Sequence, residues 1–221
     1  MTQKEVSKKV LDVLSNQLVI KEKNSINRIK SLILRSNPYM LVEFDNDIDF
    51  LSKVIETYLS KSWSTYHGNL LELIQISLSG GQKSNEIGID IDLPENTFVG
   101  SKSSPNWGNA DQRKSISRNA KTLVENKNAN VFVVCAYGKG KKVYDSYTQL
   151  EGKEGWEFLT KDGEMYNKVL VALKEHKSEV IKLKNIVYGD LTEKAIKFWK
   201  NNFYTNNKFD DKKYLDYVSK K

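Results

Sequence analysis

Two aspartates and a lysine are the residues of this sequence best suited to chemistry. Asp90 and Asp92 lie in residues 86–93, where isoleucine or leucine occupies every second position. This alternation predicts a β-strand, and residues two apart on a strand point to the same face. Lys102 follows on a second, antiparallel strand predicted over residues 97–103. Paired carboxylates bind hard cations such as Mg²⁺. A lysine beside such a cation can position or deprotonate a water and offset charge on phosphorus.

The loop after the second strand is rich in groups that bind phosphates and base edges. It combines hydroxyl, amide and indole groups within ten residues, namely Ser103, Ser104, Asn106, Trp107, Asn109 and Gln112. Such side chains are common partners of nucleic acid. Two structural explanations remain open. Alternating aspartates are often a solvated strand face, and the loop is also compatible with ordinary turn chemistry around an anchoring tryptophan.

The elements that must position these residues form a mixed α/β pattern. Apolar spacing predicts helices over residues 1–36, 47–59, 64–78, 111–125, 163–176 and 192–201. Besides the hairpin, strands are predicted over residues 131–137 and 143–147, and the segment from Tyr204 is expected to be weakly ordered. Helical layers over a sheet are the expected architecture. The length of 221 residues favours one domain.

Composition excludes several classes of protein. With one cysteine, Cys135, the chain has no disulfide framework and no multi-cysteine zinc site. No apolar run approaches the roughly 20 residues of a membrane-spanning helix, and the first residues lack a signal-peptide core, so we expect a cytoplasmic protein without a membrane partner. The net charge of +7 is compatible with a polyanionic partner.

The hairpin and its loop resemble a known family. The strand over residues 88–93 and the segment Ser101-Lys102-Ser103-Ser104-Pro105-Asn106-Trp107-Gly108-Asn109 are similar to the core of type II restriction endonucleases of the PD-(D/E)xK superfamily, one branch of which carries a comparable Lys-Ser-x-Pro-Asn-Trp-Gly-Asn segment. Residues 152–160, followed by Asp162-Gly163 and Tyr166, resemble a downstream motif of the same enzymes. The resemblance covers about residues 66–170.

The resemblance implies a fold, and the pattern of predicted helices and strands outside residues 66–170 completes the expected domain organisation. The expected fold is a restriction-endonuclease-like central mixed sheet flanked by helices, of class α/β with an α+β tendency. The chain would form a single nuclease domain. Its parts would be an N-terminal helical part over residues 1–62, a catalytic core over 63–190, and a C-terminal helix with a polar tail over 191–221.

The resemblance also implies roles for individual residues. Asp90 corresponds to the first metal-binding aspartate and Lys102 to the lysine of the family's signature. The acidic residue expected two positions before the lysine is Gly100 here. Asp92 could take its place, or Glu72, which lies in a segment similar to the family's Gly-x-x-x-Glu helix. For Glu72, a solvent-facing polar stripe is the alternative explanation.

The implied activity is Mg²⁺-dependent hydrolysis of phosphodiesters in double-stranded DNA at a short, palindromic sequence, by a homodimer belonging to a restriction–modification system. Glu72, Asp90 and Asp92 would hold the metal, and Lys102 would position the water. The residues expected to contact DNA are Ser101, Ser103, Ser104, Asn106, Trp107, Asn109, Gln112, Arg113, Lys114 and Arg118. Two alternatives remain open: a non-catalytic DNA-binding module, and a repair nuclease that recognises DNA structure.

Overall fold

The chain divides into two compact units. The computed structural model describes residues 1–219, and their side chains except those of residues 17–26, 28, 29, 32, 35, 58–66, 180, 182–184 and 186–188. The first unit comprises residues 1–14 and 66–177, and the second comprises residues 15–65 and 178–221. Among the described residues, none of the helices has the length and apolar character needed to cross a membrane.

Two long helices account for most of the N-terminal third. Helix α1 covers Gln3–Arg35, a 3-10 helix covers Pro38–Glu43, and α2 covers Asp47–Ser79. The side chain of Asn46 accepts a hydrogen bond from the Asp49 amide at 2.9 Å and so caps α2. The predicted first helix is confirmed. The prediction of two helices between residues 47 and 78 was wrong, because residues 60–64 contain no proline or glycine to interrupt the helix.

A six-stranded mixed sheet forms the centre of the first unit. Its strands are β1 (Gln82–Lys83), β2 (Ile91–Leu93), β3 (Thr97–Lys102), β4 (Asn130–Cys135), β5 (Gly140–Val143) and β6 (Thr148–Glu151). They lie in the order β1-β2-β3-β4-β6-β5. The three central strands β3, β4 and β6 are parallel, and the outer pairings are antiparallel. The predicted mixed sheet flanked by helices is therefore confirmed.

Helices cover both faces of this sheet. They are α3 (Ala110–Lys127), α4 (Lys153–Thr160) and α5 (Met165–Glu175), together with the parts of α1 and α2 that belong to the first unit, residues 3–14 and 66–79. Val133 and Val134 are adjacent in β4 but belong to different apolar clusters. Val133 packs with Ile116 and Ala120 of α3, whereas Val134 packs with Leu159 of α4. Alternate residues of the strand thus enter opposite layers, as expected for a sheet buried on both sides.

The strand predicted over residues 86–93 is much shorter than expected. Residues 86–89 form a turn, in which the Ile89 amide donates to the Glu86 carbonyl at 3.2 Å and Gly88 has φ +78°. The side chain of Ile87 is 83% exposed instead of buried. The prediction was wrong at this end because glycine in the left-handed region reverses the chain, which the alternation of residue types does not reveal.

A second correction concerns residues 140–151. The sequence predicted one strand over residues 143–147, but the structure has β5 before this segment and β6 after it. Residues 144–147 connect the two strands, and the rings of Tyr144 and Tyr147 stack with their centroids 4.6 Å apart. The β-branched and aromatic composition typical of a strand is here used at a turn, because the two rings pack against each other.

The second unit is built around aromatic residues. Its C-terminal part contains α6 (Lys177–Phe203), the small hairpin of β7 (Tyr204–Thr205) and β8 (Lys208–Phe209), and α7 (Asp211–Val218). Trp199, Phe203 and Tyr214 are buried in one cluster with Phe50 and Leu51. The expectation of weak order from residue 204 was wrong, since aromatic residues spaced among the lysines and aspartates pack into this core.

Candidate active site

Asp90 and Lys102 form an ion pair at the edge of the sheet. The Lys102 Nζ lies 3.0 Å from Asp90 Oδ2 and 2.8 Å from the Ser101 carbonyl oxygen. The Ser101 amide donates to the same Asp90 Oδ2 at 2.6 Å. The Asp90 amide in turn donates to the Val99 carbonyl at 2.9 Å. Strand β3 therefore holds both the backbone and the carboxylate of Asp90, and brings the lysine to it.

The pair lies where an α/β sheet usually binds its ligands. Lys102 is the last residue of β3, and it is level with Cys135 of β4 and, one strand further, with Glu151 of β6. All three residues are at the carboxyl ends of parallel strands, the position at which open α/β sheets bind their ligands. A cavity of about 410 Å³ opens here, lined by Gly88, Asp90, Lys102, Trp107, Gly108, Gln112, Ser115 and Ile116.

Glu72 is electrostatically linked to this pair. It lies on α2, its side chain is mostly buried, and Lys83 Nζ of β1 is 3.5 Å from its Oε1. Burial raises the pKa of the Glu72 carboxyl, and the negative charge of Asp90 raises it further, while Lys83 and Lys102 act against the shift. Because the charge of Asp90 disfavours ionisation of Glu72, a bound cation would favour the ionised form of both carboxylates. The alternative of a solvent-facing stripe does not fit a side chain that is only 17% exposed.

Asp92 is placed differently from Glu72. It lies within β2 opposite Phe98, and its Oδ1 atom is buried without a hydrogen-bond partner among the described residues. Across the same described residues, no three His, Cys, Asp or Glu side chains converge closely enough to hold a metal ion. Glu72, Asp90 and Asp92 thus do not form a preassembled three-carboxylate site.

The Asp90 and Glu72 carboxylates suit a magnesium ion better than a metal ion whose ligands are all protein side chains. Mg²⁺ retains several waters and is typically held by one or two carboxylates together with phosphate oxygens of the substrate. The Asp90 and Glu72 carboxylates can supply these two ligands. At Gly100, where the resemblance leads one to expect an acid, a Cβ atom would meet its nearest neighbour, the Val133 side chain, at 3.7 Å. The missing carboxylate therefore does not result from a lack of space at the backbone.

Trp107 anchors the loop that follows Lys102. Its indole is buried in the layer between the sheet and α3, and its Nε1 donates to Gln149 Oε1 at 3.1 Å. The Lys102 ammonium lies 5.8 Å from the ring centroid, and the Arg113 guanidinium lies 5.7 Å from it. The ring faces the protein interior and the two cations, so it orients charged groups and does not present a face for stacking on DNA.

Asn109 and Gln112 are engaged in local structure. They form a capping box at the start of α3, with the Asn109 side chain accepting from the Gln112 amide and the Gln112 side chain accepting from the Asn109 amide, both at 3.0 Å. This arrangement satisfies two amides at the helix start. Among the other residues predicted to contact DNA, Ser103 and Ser104 are half-buried, and Asn106 is exposed.

The basic residues of α3 lie on an open surface. Lys114 and Arg118 are exposed and, with Asp111 and Ser117, line a shallow groove of about 540 Å³. Arg113 is also exposed, but its Nε donates to the Trp107 carbonyl at 3.3 Å. Lys114 and Arg118 are therefore the better placed of the predicted cations for a phosphate backbone.

Two residues of β6 are connected to the site through Trp107, although the sequence did not indicate them. Glu151 is buried and accepts hydrogen bonds from Lys142 Nζ at 3.0 Å and from Gln149 Nε2 at 2.7 Å. Burial alone would raise the pKa of the Glu151 carboxyl, but these hydrogen bonds outweigh it and lower the pKa. Gln149 thus joins an ionised carboxylate to Trp107. The available signal was the polar alternation of Gln149 and Glu151 within a short strand.

A comparison with protein families agrees with this geometry. The family model for the type II restriction endonuclease EcoO109I matches residues 4–182 of the chain. The chain belongs to this family of type II restriction endonucleases. It is therefore a nuclease that acts on double-stranded DNA at specific sites. The predicted membership of the type II restriction endonucleases and the predicted mixed sheet flanked by helices are confirmed. The match includes Glu72, the Asp90–Lys102 pair and all of α3. None of the curated proteins matches the chain.

Proposed function

We propose that this endonuclease is a magnesium-dependent enzyme of the PD-(D/E)xK type that works in the cytoplasm as the cleaving member of a restriction–modification system. The observation that carries the proposal is the contact of 3.0 Å between Lys102 Nζ and Asp90 Oδ2 at the carboxyl end of β3. Glu72 and Asp90 would hold the metal, with Asp92 as a further candidate. The bound ion would lower the pKa of a water and stabilise negative charge on the phosphate.

The side chains of the site would divide the work. Lys102, held by Asp90 and the Ser101 carbonyl, would place its ammonium beside the attacking water and the scissile phosphate. Trp107 would limit the positions that this ammonium can reach, since the indole packs beneath it. Lys114 and Arg118 would bind the backbone of the same duplex. Cleavage of both strands at a palindrome would need two copies related by a two-fold axis, so we propose a homodimer.

A second candidate function follows from the absence of an acidic residue at position 100. Gly100 stands where the resemblance predicts a carboxylate, and no three metal-ligating side chains converge among the residues that are described. A chain with this deficit could retain sequence-specific binding and lack cleavage. The position of Glu72 argues for the catalytic alternative, because this mostly buried carboxylate on α2 is close enough to Asp90 for the Asp90 charge to add to the effect of burial in raising its pKa.

Cleavage of a long, sequence-diverse duplex separates these functions. We expect discrete fragments in Mg²⁺ and intact DNA in EDTA, and the fragment ends would give the recognition sequence and the stagger. Intact but retarded DNA under all conditions would favour the binding module. A smear would contradict site specificity. Sedimentation of the free protein tests the homodimer, which a monomer would contradict.

The assignment of Asp90 is tested by Asp90→Asn. We expect cleavage to fall by at least about a thousandfold while binding of the mapped site is retained, because the amide keeps the shape of the carboxylate but loses its charge. Asp162→Asn is a matched control. Asp162 is paired with Lys168 at 2.7 Å and is 19% exposed, against 24% for Asp90. Equal cleavage by both variants would refute the role of Asp90.

A further inference from the structure

Ile87 is an exposed aliphatic residue beside the active site. Its side chain is 83% exposed, and no other large apolar side chain described in the first unit is more exposed. The surrounding alternation would have buried it in the sheet, but the turn at residues 86–89 directs it outward. A single exposed isoleucine has no significance by itself. Its setting is what requires an explanation.

The turn that carries Ile87 is held firmly by α3. Asn119 Nδ2 donates to the Ile87 carbonyl at 2.9 Å, and Lys127 Nζ lies 2.6 Å from Glu86 Oε1. Gly88 adopts φ +78°, and a Cβ atom there would lie 2.8 Å from Asn119 Nδ2. The backbone of the turn is therefore tied to α3 at the Ile87 carbonyl, and the Ile87 side chain projects into solvent.

The turn lies beside the cavity of the active site. Gly88 lines the same cavity as Asp90 and Lys102, and Ile87 is three residues before Asp90 in the chain. Three residues span at most about 11 Å. Stacked base pairs are about 3.4 Å apart. A phosphate bound at Asp90 and Lys102 would therefore bring Ile87 within about three base pairs of the scissile bond.

We propose that Ile87 is a wedge that enters the base stack of the bound duplex next to the cut. Aliphatic side chains unstack neighbouring bases and kink DNA when they insert between base steps. The wedge would favour cleavage sites whose base step is easily unstacked, and so would add specificity without hydrogen bonds to bases. The inference rests on the proposed function, because it takes the Asp90–Lys102 pair as the cleavage site.

Fluorescence of 2-aminopurine tests the wedge directly. The base is placed in turn at each position within three base pairs of the mapped cut, and the duplexes are bound by Asp90→Asn protein, which blocks cleavage. We expect a rise of about threefold or more at one step, as the base loses its stacking partner. Adding Ile87→Ser should abolish the rise. Adding Val143→Ser should not, since Val143 is 74% exposed but lies on β5 at the opposite edge of the sheet.

Cleavage kinetics give an independent readout. In the otherwise unchanged enzyme, Ile87→Ser should lower the cleavage rate by about tenfold or more. A duplex with an abasic site at the responsive step should restore it, because the unstacking is then already done. No fluorescence rise at any position in a formed complex, or an equal rise with Ile87→Ser, would overturn the wedge and leave the nuclease intact.

A different role for the side chain would give another pattern. If Ile87→Ser turns a dimer into a monomer without any change in fluorescence, the residue contacts a second copy of the chain and the wedge is wrong. Failure of the wild-type protein to cut or to bind any duplex would refute the proposed function, and this inference with it.

Discussion

Two buried glutamines, one without hydrogen-bond partners and one with two, allow a direct test of the structure. Gln75 of α2 is fully buried, and neither its Nε2 nor its Oε1 has a hydrogen-bond partner among the described residues. Gln149 of β6 is 3% exposed, but its amide accepts from Trp107 and donates to Glu151. Replacing each glutamine by leucine removes the same chemical group from the interior and keeps a similar volume.

The expected effects have opposite signs. A buried polar group without a partner costs about 1–3 kcal/mol. Volume-conserving apolar replacements usually cost less than about 1.5 kcal/mol, so Gln75→Leu should raise the free energy of unfolding by about 1 kcal/mol. Gln149→Leu should lower it by about 2–4 kcal/mol, since it leaves the Trp107 N–H without its acceptor and removes a hydrogen bond to an ionised carboxylate.

Urea unfolding at neutral pH measures both values, and the midpoint changes without a change of slope if only stability is affected. In a thermal scan, 1 kcal/mol corresponds to about 2–4 °C for a protein of this size. The reasoning is refuted if Gln75→Leu loses more than about 1 kcal/mol, because the amide would then have a favourable partner. It is also refuted if the two variants change stability equally.

Three further predictions use charge and close packing. Glu72→Gln should be more stable than the wild type above about pH 5 and equal to it near pH 3. The reason is that a raised folded-state pKa destabilises the native state only once the carboxyl ionises. Urea titrations over this pH range measure the difference in stability, and a difference that does not change with pH would contradict the prediction. Lys142→Met should shift acid unfolding to higher pH, because it removes a hydrogen bond that lowers the pKa of Glu151. The stability that comes from a lowered pKa is lost as pH falls, so this loss should begin at a higher pH in the variant. Circular dichroism during acidification tests this, and an unchanged unfolding midpoint would contradict it. Gly152→Ala should destabilise the folded protein by more than about 1 kcal/mol, because Gly152 has φ +53° and a Cβ atom would lie 2.3 Å from the Gly138 carbonyl oxygen. Thermal unfolding measures this, and a melting temperature equal to that of the wild type would contradict the prediction.

The sequence predicted the parts of the site that depend on local pattern. Asp90 and Lys102 were found from alternation and a short hairpin, and the structure brings them together. The helix after the loop was placed to within two residues at each end, because the spacing of its apolar residues is a local signal. Glu72 was named from its resemblance to a family helix, and its burial beside Lys83 agrees with that choice.

Residues that act through distant contacts were missed. Gln149 and Glu151 approach Trp107 because β6 lies beside β4 in the sheet. Trp107 contacts Gln149 but is 42 residues away from it in sequence. Asn109 and Gln112 were predicted to contact DNA, and their role in capping α3 was not predicted. Residue type alone could not separate these uses, since the same amide that binds a base edge also satisfies a helix amide.

By itself, the sequence indicated the family and the mixed α/β architecture, and it named Asp90 and Lys102 as catalytic candidates, because these conclusions need only local patterns and motifs read along the chain. Tertiary structure alone decided that Trp107 faces inward, that the turn at residues 86–89 is tied to α3, and that β6 inserts between β4 and β5. The first two outcomes depend on contacts of Gln149 with Trp107 and of Asn119 with Ile87. Long-range pairings of this kind form only when separate elements pack, so no local pattern of residues encodes them.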